Sequence, residues 1–397
     1  MQRIMGVPRA YAWGSTVHIQ NVLGSPAEEQ PLAELWFGAH PTGPSPLIGE
    51  TGAGDLEAFI AANATVTMGE ETAAAFDGKL PFLMKLLAPG QAVSLQVHPS
   101  KRNGQLGFER ENAAGIPLSA PNRSFKDTNH KPEMVFAITD FEGLVGFRDL
   151  DDTLTLLGQY EHTRMREIHD ILSADASPAG VRACLRALVT LDSADVDCII
   201  DEAVVLAGRG TALASAHATA VELAQSYPGD AGTVASIMLN RVAFAPGECI
   251  FVPSGMPHAY LGGLAVEIMA NSDNVFRAGL TSKYVDVESL LENVLVNPGP
   301  VDLLVGEQPT PVVRIIRPAA REFELIEVLV SGDSVAEVAG RGPRIVLCTS
   351  GDLELWANNR TDSITLAPGE AAFASDDDGA LSVAGTGQAI IAGVPAP

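Results

Sequence analysis

Three short segments bring together side chains able to bind a metal ion. In Gln96-Val97-His98-Pro99, the alternation of a strand puts Gln96 and His98 on one face. Asp127-Thr128-Asn129-His130-Lys131-Pro132-Glu133 holds two carboxylates, an imidazole and an amine close together. In the third segment, Gly247 and Pro253-Ser254-Gly255 frame a strand with turns and aim His258 inward. Imidazole, carboxylate and amide oxygen together suit a borderline cation such as Zn²⁺. Thiolates are not expected to take part. Cys184, Cys198, Cys249 and Cys348 are far apart and form no Cys-x-x-Cys pair, so reduced, buried thiols are expected.

The basic residues are as informative as the ligands. The chain has 25 Lys and Arg against 49 Asp and Glu, a net charge of −24. Such a surface repels nucleic acid and anionic membrane, so neither is an expected partner. An anionic small molecule can bind only where cations are gathered locally. Between Val242 and Val313 the only basic residues are Arg277 and Lys283, which suits a cationic wall for a phosphate ester. Lys85 stands inside the apolar run Phe82-Leu83-Met84-Lys85-Leu86-Leu87, where an unpaired ammonium is costly; it should face a polar cavity. Lys131 lies two residues from Glu133 and should share its face, and Lys101 follows His98 closely enough to reach the same region.

Positioning these groups requires rigid elements. The 397 residues, 46% hydrophobic, can build two or three domains with sizeable cores. Residues 1–149 are rich in Gly, Pro and short apolar runs and read as mainly β. From 150 to 229 the apolar period becomes helical, as in Leu154, Leu157, Met165, Ile168 and Leu172, then Val181, Cys184, Leu185 and Leu188, then Ile199, Ala203, Val204 and Leu206. This predicts a helical insertion of four to six helices. Strands resume over 230–310, with a helix near Val287–Leu295, and a proline-rich joint leads into a last β-rich portion, 311–397. Ala245-Pro246-Gly247-Glu248 with Phe251 recurs as Ala367-Pro368-Gly369-Glu370 with Phe373, which predicts two related β-barrels. The second copy runs into Ser375-Asp376-Asp377-Asp378 with no histidine, so the last barrel is expected to lack a metal site. No apolar run is long enough to span a bilayer, and Met1–Tyr11 lacks the layout of a secretory signal; a cytoplasmic location is expected.

The phrase Gly247-x5-Pro253-x-Gly255-x2-His258 matches the second motif of the cupins, and Gln96-x-His98 resembles the first, with Gln in place of a leading His. The delayed Glu133 is characteristic of the phosphomannose isomerases. Ala33-Glu34-Leu35-Trp36-Phe37-Gly38-Ala39-His40-Pro41, Leu95–Pro99, Asn129–Glu133, Pro257-His258-Ala259-Tyr260 and the run Glu267-Ile268-Met269-Ala270-Asn271-Ser272-Asp273-Asn274-Val275-Phe276-Arg277-Ala278-Gly279-Leu280-Thr281 all resemble the type I mannose-6-phosphate isomerase family. The resemblance implies a mainly β fold with a helical insertion, namely two cupin-type jelly-roll barrels plus an all-α domain. It implies one Zn²⁺ per chain on Gln96, His98, Glu133 and His258, and an active-site arginine at Arg277.

Interconversion of mannose 6-phosphate and fructose 6-phosphate, feeding mannose use or GDP-mannose supply, is the expected activity. Moving a proton between C2 and C1 through an enediol needs a base and stabilisation of enediolate oxygens. Lys131, Glu267 and Asp273 are the candidates for the base, and Lys85, Lys283 and Lys101 for holding the phosphate. A related isomerase with another sugar preference, and a non-catalytic sugar-binding cupin, are the competing readings; the intact ligand set argues against the second. The expected partner is a small sugar phosphate, and the expected state is a monomer or weak homo-oligomer.

Overall fold

Short extended segments between glycine- and proline-rich turns pair into three antiparallel sheets. The structure, a computed structural model, describes residues 1–49, 54–357 and 362–395. In chain order the first elements are β1 (Gln2–Ile4), β2 (Val7–Arg9), α1 (His18–Val22), β3 (Glu34–Gly38), β4 (Leu47–Ile48), α2 (Leu56–Ala62), α3 (Ala64–Met68), α4 (Glu70–Ala75), β5 (Phe82–Leu87), β6 (Leu95–Val97) and α5 (Lys101–Ala113). Next come β7 (Glu133–Ala137), β8 (Phe141–Phe147), α6 (Leu150–Leu157), α7 (Thr163–Ala174), α8 (Pro178–Val189), α9 (Ser193–Ala207), α10 (Ala214–Ser226) and α11 (Ala231–Ala235). The chain continues with β9 (Leu239–Phe244), β10 (Cys249–Val252), β11 (His258–Gly262), β12 (Ala265–Ala270), β13 (Phe276–Gly279), α12 (Val287–Asn293), β14 (Glu307–Thr310), β15 (Val313–Ile316) and β16 (Glu324–Val330). It closes with β17 (Val335–Val338), β18 (Arg344–Ala357), β19 (Ser363–Leu366), β20 (Ala371–Ala374) and β21 (Leu381–Gly393).

Six strands in the order β10-β7-β12-β5-β3-β2 form one sheet, and β13-β6-β11-β8-β9 form a second. Strands β5, β7 and β12 are buried at every residue because both faces of their sheet are covered. Helices α6 to α11 leave the chain between β8 and β9, which pair with each other from Phe141↔Phe244 to Phe147↔Leu239. The insertion therefore bulges from two strands whose ends stay together, and it can be large without disturbing the sheet. Asp149, Ser177 and Asp192 cap α6, α8 and α9. Met165, Ile168 and Leu172 of α7 and Val181, Cys184, Leu185 and Leu188 of α8 share one core with Val97 and Phe276 of the second sheet. Val204, which the periodicity placed with that stripe, faces outward. The helical run also continues past residue 229, because Asp230 caps the small residues of α11.

The early part of the chain holds helices that the mainly β reading did not anticipate. Helix α5 is the longest of them, and Gly104 and Gly107 sit in its middle. Those glycines are where the neighbouring loop presses closest: a Cβ on Gly104 would stand 2.5 Å from the Asn129 carbonyl oxygen, and one on Gly107 2.2 Å from the Phe125 ring. Contact, not helix propensity, selects them.

The third sheet repeats the first. Its path β20-β18-β21-β16-β15-β14 matches β10-β7-β12-β5-β3-β2 strand for strand. The two echoed turns are built alike: Glu248 accepts from its own turn's Ala245 N–H at 2.8 Å and Glu370 from Ala367 N–H at 3.0 Å. Gly247 N–H donates to Ala137 and Gly369 N–H to Cys348, each at 2.8 Å. Aligning the registers on these turns places Arg344 at the position of Glu133, Ile326 at that of Lys85 and Ile391 at that of Glu267. The inner face of the third sheet is accordingly an apolar cluster of Val313, Ile326, Val328, Val346, Cys348 and Ile391. The outer faces of the two equivalent sheets meet in a further core, where Phe37, Met84, Met134 and Phe136 join Ile316, Leu325, Ile345 and Leu347. No helix of the described residues is long and apolar enough to cross a membrane.

One buried polar pair lies within the helices. Tyr160 Oη and His217 Nδ1 are 2.9 Å apart, and both side chains are buried. Burial, then Arg148 and Arg209, pushes His217 down to about 4. Both states are neutral above the ordinary value near 6.5; below it only the unfolded chain gains the proton, so stability falls from pH 6.5 toward 4. His217→Gln is expected to flatten the melting temperature over that window. A slope equal to that of the parent protein would show that other groups set the acid response.

Candidate active site

The site lies between the first two sheets, and their registers assemble it. Gln96 of β6 pairs directly with His258 of β11 and with Arg277 of β13, so the three side chains project from one face. His98 follows β6 by one residue. Glu133 opens β7 and enters from the opposite sheet. His98, Glu133 and His258 are all buried, and their ligand atoms lie within 4.8 Å of one another.

Backbone carbonyls orient both imidazoles. His98 Nδ1 bonds Asn274 O at 2.7 Å, and His258 Nδ1 bonds Met256 O at 2.9 Å. With Nδ1 donating, each Nε2 turns a lone pair inward. His98 Nε2 then lies 3.1 Å from Glu133 Oε1, and His258 Nε2 lies 3.4 Å from Glu133 Oε2. His98 Nε2 and Glu133 Oε1 find no aligned hydrogen bond although both are buried. Converging lone pairs on two imidazoles and a carboxylate repel unless a cation sits among them, so these residues fit a divalent metal ion. Gln96 turns Nε2 toward His258 Nε2, at 3.4 Å, and Oε1 toward Ser94 Oγ, at 3.3 Å; a half-turn of the amide exchanges donor for ligand oxygen.

The electrostatics keep His98 and Glu133 in their metal-binding protonation states. Burial, then Lys131, pushes His98 down to about 4. Burial alone would raise Glu133, but Lys131 and the two histidines hold it well below the usual carboxylate range. Lys131 Nζ is 2.9 Å from Glu133 Oε1, and Tyr260 donates its hydroxyl to Oε2 at 3.1 Å. Burial and then Glu133 raise the Tyr260 phenol, which therefore stays a donor.

Beside this centre lies an ion-pair group. Lys85 Nζ is 2.6 Å from Glu267 Oε2 and 3.5 Å from Glu34 Oε1, all three side chains being buried. Its burial is thus compensated by two carboxylates. Against the pull of burial they raise the ammonium above its ordinary value, and Lys85 is charged. Glu34 also accepts from the Trp36 indole at 2.8 Å.

The remaining predicted residues occupy the rim. Asp273 is exposed, 3.6 Å from His40 Nε2, and His40 is lowered chiefly by burial. Arg277 is half-buried and has no carboxylate partner among the described residues; burial lowers it. Lys283 is exposed, and its value is lowered by burial and then by the charge of Arg277. Lys126, absent from the sequence-based set, is lowered by burial and also feels Arg277. Lys101 is exposed and donates to Asn129 Oδ1 at 2.8 Å. His130 has Nε2 2.8 Å from Glu322 Oε1 of the third sheet's portion.

Several residues escaped sequence reasoning because their partners are backbone atoms or distant strands. Asn274 accepts from Lys126 N–H at 2.6 Å and donates to the Asp127 and Asn129 carbonyls, each at 2.9 Å. Asp127 accepts from Ser272 Oγ at 2.9 Å and from Asp273 N–H at 2.8 Å. Together they stitch the loop carrying Lys131 to the loop carrying Asp273. Only the density of Asn and Asp in both loops hinted at this.

Residues 1–150 match the family described as phosphomannose isomerase type I, catalytic domain. The mannose-6-phosphate isomerase of Salmonella typhimurium is 35% identical over 395 residues, covering 98% of each chain. The human mannose-6-phosphate isomerase is 33% identical, covering 82% of this chain and 81% of its own. A crystal structure of the Salmonella typhimurium enzyme bound to its substrate, fructose 6-phosphate, and to zinc superposes with a TM-score of 0.89 at 33% identity, covering 100% of both chains. Agreement of this extent over the whole length of both chains means that the chain belongs to the type I mannose-6-phosphate isomerases.

Proposed function

We propose that this chain interconverts D-mannose 6-phosphate and D-fructose 6-phosphate by moving a proton between C1 and C2 through an enediol. The observation that carries this reading is the convergence of two imidazole lone pairs on a buried carboxylate, beside a guanidinium that has no carboxylate partner among the described residues. Zn²⁺ is the ion that His98, Glu133 and His258 would hold, with Gln96 completing the set once its amide turns; bound there it would supply a Lewis acid for a sugar oxygen. The phosphate is attracted to Arg277 and Lys283, with Lys126 behind them, in a protein whose surface is otherwise strongly negative. Arg277 also suits the negative charge that grows on the enediolate oxygens.

Asp273, exposed at the rim, and Lys131, beside Glu133, are the groups placed to exchange a proton with the sugar carbons. Glu267 lies 2.6 Å from Lys85 and helps to keep it charged, and we assign the two together to shaping the site. Lys101 belongs to the support of the Asn129 loop.

We further infer that the first two sheets form a cupin-type jelly-roll barrel built mainly from 1–149 and 230–310 and interrupted by the helical domain at 150–229, whose last helix α11 runs past that boundary, while β1 and β4 join the third sheet. Residues 311–397 would form a second barrel without metal. The repeated strand order supports this division, and Arg344 at the place of Glu133 supports the loss of the second site.

A coupled assay for fructose 6-phosphate tests the function. The zinc-loaded protein is expected to turn over mannose 6-phosphate, to lose activity on chelation and to regain it on adding Zn²⁺. No turnover by the zinc-loaded protein would refute the reading.

A further inference from the structure

The chain leaves Arg277 through irregular backbone. The pairing of β13 with β6 slips between Arg277 and Gly279, Gly279 has φ of 143°, and Leu280 has φ of 55°. Bulges next to functional side chains re-aim them. A leucine in the left-handed region is rare, and it persists only where its surroundings hold it.

What holds it comes from the inserted helices. Asp230, the cap of α11, accepts from Leu280 N–H at 2.8 Å and from Thr281 N–H at 3.1 Å, besides Gly232 N–H at 2.7 Å. The two backbones touch at paired glycines: a Cβ on Gly279 would lie 2.4 Å from the Gly232 Cα, and a Cβ on Gly232 2.7 Å from the Gly279 Cα. Close by, Tyr227 donates its hydroxyl to Ala92 O at 2.6 Å, just before β6. The helical segment thus grips the approach to the strand of Gln96 and the exit from the strand of Arg277.

The geometry points to Asp230 as a positioning residue that holds the turn at Leu280 and so fixes where the Arg277 guanidinium stands in the cleft. The inserted helices thereby take part in recognising the anionic end of the substrate. This rests on the reading of Arg277 given under Proposed function. A carboxylate is suited to the task because its two oxygens can collect both N–H groups of the irregular turn, Leu280 and Thr281, together with the Gly232 N–H at the start of α11.

The test compares Asp230→Asn, Gly232→Ala and Glu202→Ala in the zinc-loaded full chain. Asp230→Asn keeps Oδ1 as an acceptor and loses the acceptor facing Thr281. Gly232→Ala pushes the backbones apart and leaves the carboxylate in place. Glu202→Ala removes a carboxylate that accepts from Glu161 and His162 N–H elsewhere in the helices, and serves as the control. Asp230→Asn and Gly232→Ala are expected to raise KM for mannose 6-phosphate and the inhibition constant of inorganic phosphate together, by about ten- to a hundred-fold, with kcat changed far less. Zinc content should stay at the level of the parent protein, and Glu202→Ala should leave both constants unmoved. A folded Asp230→Asn or Gly232→Ala with unchanged KM and phosphate inhibition overturns the proposal.

Asp230→Asn is also to be placed in an Arg277→Ala background. There it should add little to KM, and a full additive loss would show that Asp230 does not act through Arg277, again overturning the proposal. If Arg277→Ala alone leaves KM and phosphate inhibition unchanged, the reading of Arg277 fails, and the proposal about Asp230 falls with it; the single variants tell the two failures apart.

Discussion

His258→Ala is expected to strip the protein of zinc and abolish turnover while leaving its secondary structure in place. The imidazole is one of three buried groups whose ligand atoms converge, and no other histidine, cysteine or acidic side chain among the described residues joins that cluster. Loss of a hydrogen bond that only supports a ligand lowers metal affinity by roughly 10- to 100-fold, and loss of the ligand itself should exceed that. The fold should survive, because Lys131 and Tyr260, beside His98, still partner Glu133 and do not depend on the metal. Elemental analysis of the purified variant, beside circular dichroism, checks this. Full zinc occupancy in His258→Ala would remove the residue from the ligand set.

Arg277→Lys is expected to lower kcat/KM by about a hundred- to a thousand-fold, roughly 2.7–4 kcal/mol of transition-state stabilisation, with little change in melting temperature. Lysine keeps the charge but loses the planar fork that addresses two oxygens at once. The asymmetry between activity and stability follows from the absence of any carboxylate partner for Arg277 among the described residues: no buried ion pair is broken. Arg277→Ala should reduce activity further and again spare the fold. A near-normal kcat/KM combined with a large drop in melting temperature would identify Arg277 as a structural residue.

The cluster of His98, Glu133 and His258, with Gln96 beside it, was legible because each candidate lies beside a turn or strand whose local sequence fixes its direction. Gln96 and His98 alternate on one strand, and Gly255 and Pro257 set the entry of His258. Lys85 was legible only as a problem. An ammonium in an apolar strand demands compensation, but Glu34 and Glu267 come from the two neighbouring strands, and which residues face each other depends on register, which the local sequence does not state. The same limit hid Asn274, whose contacts are to backbone groups of another loop. The repeat of the Ala-Pro-Gly-Glu turn marked the duplication, but the strand order that makes it meaningful emerges only when the sheets form. Helices α2 to α5 escaped because they are short or, in α5, carry glycines chosen for close contact.

The core between the two repeated sheets has the composition of an isologous dimer interface. On both sides it is made from corresponding positions: Phe37 and Ile316, Met84 and Leu325, Met134 and Ile345, Phe136 and Leu347. Such correspondence is what a self-associating ancestor with twofold symmetry would leave behind once its two copies were joined in one chain. One of the two repeated sheets packs its inner face with hydrocarbon and holds Arg344 among the carbonyls of Gly342 and Gly379. The other copy retained the buried charges of Lys85, Glu133 and Glu267, which by themselves destabilise a small domain. A protein cut before residue 312 would leave β1 and β14 without their partner strands β20 and β15. It would keep every proposed ligand and yet expose the apolar face that its own second half now covers.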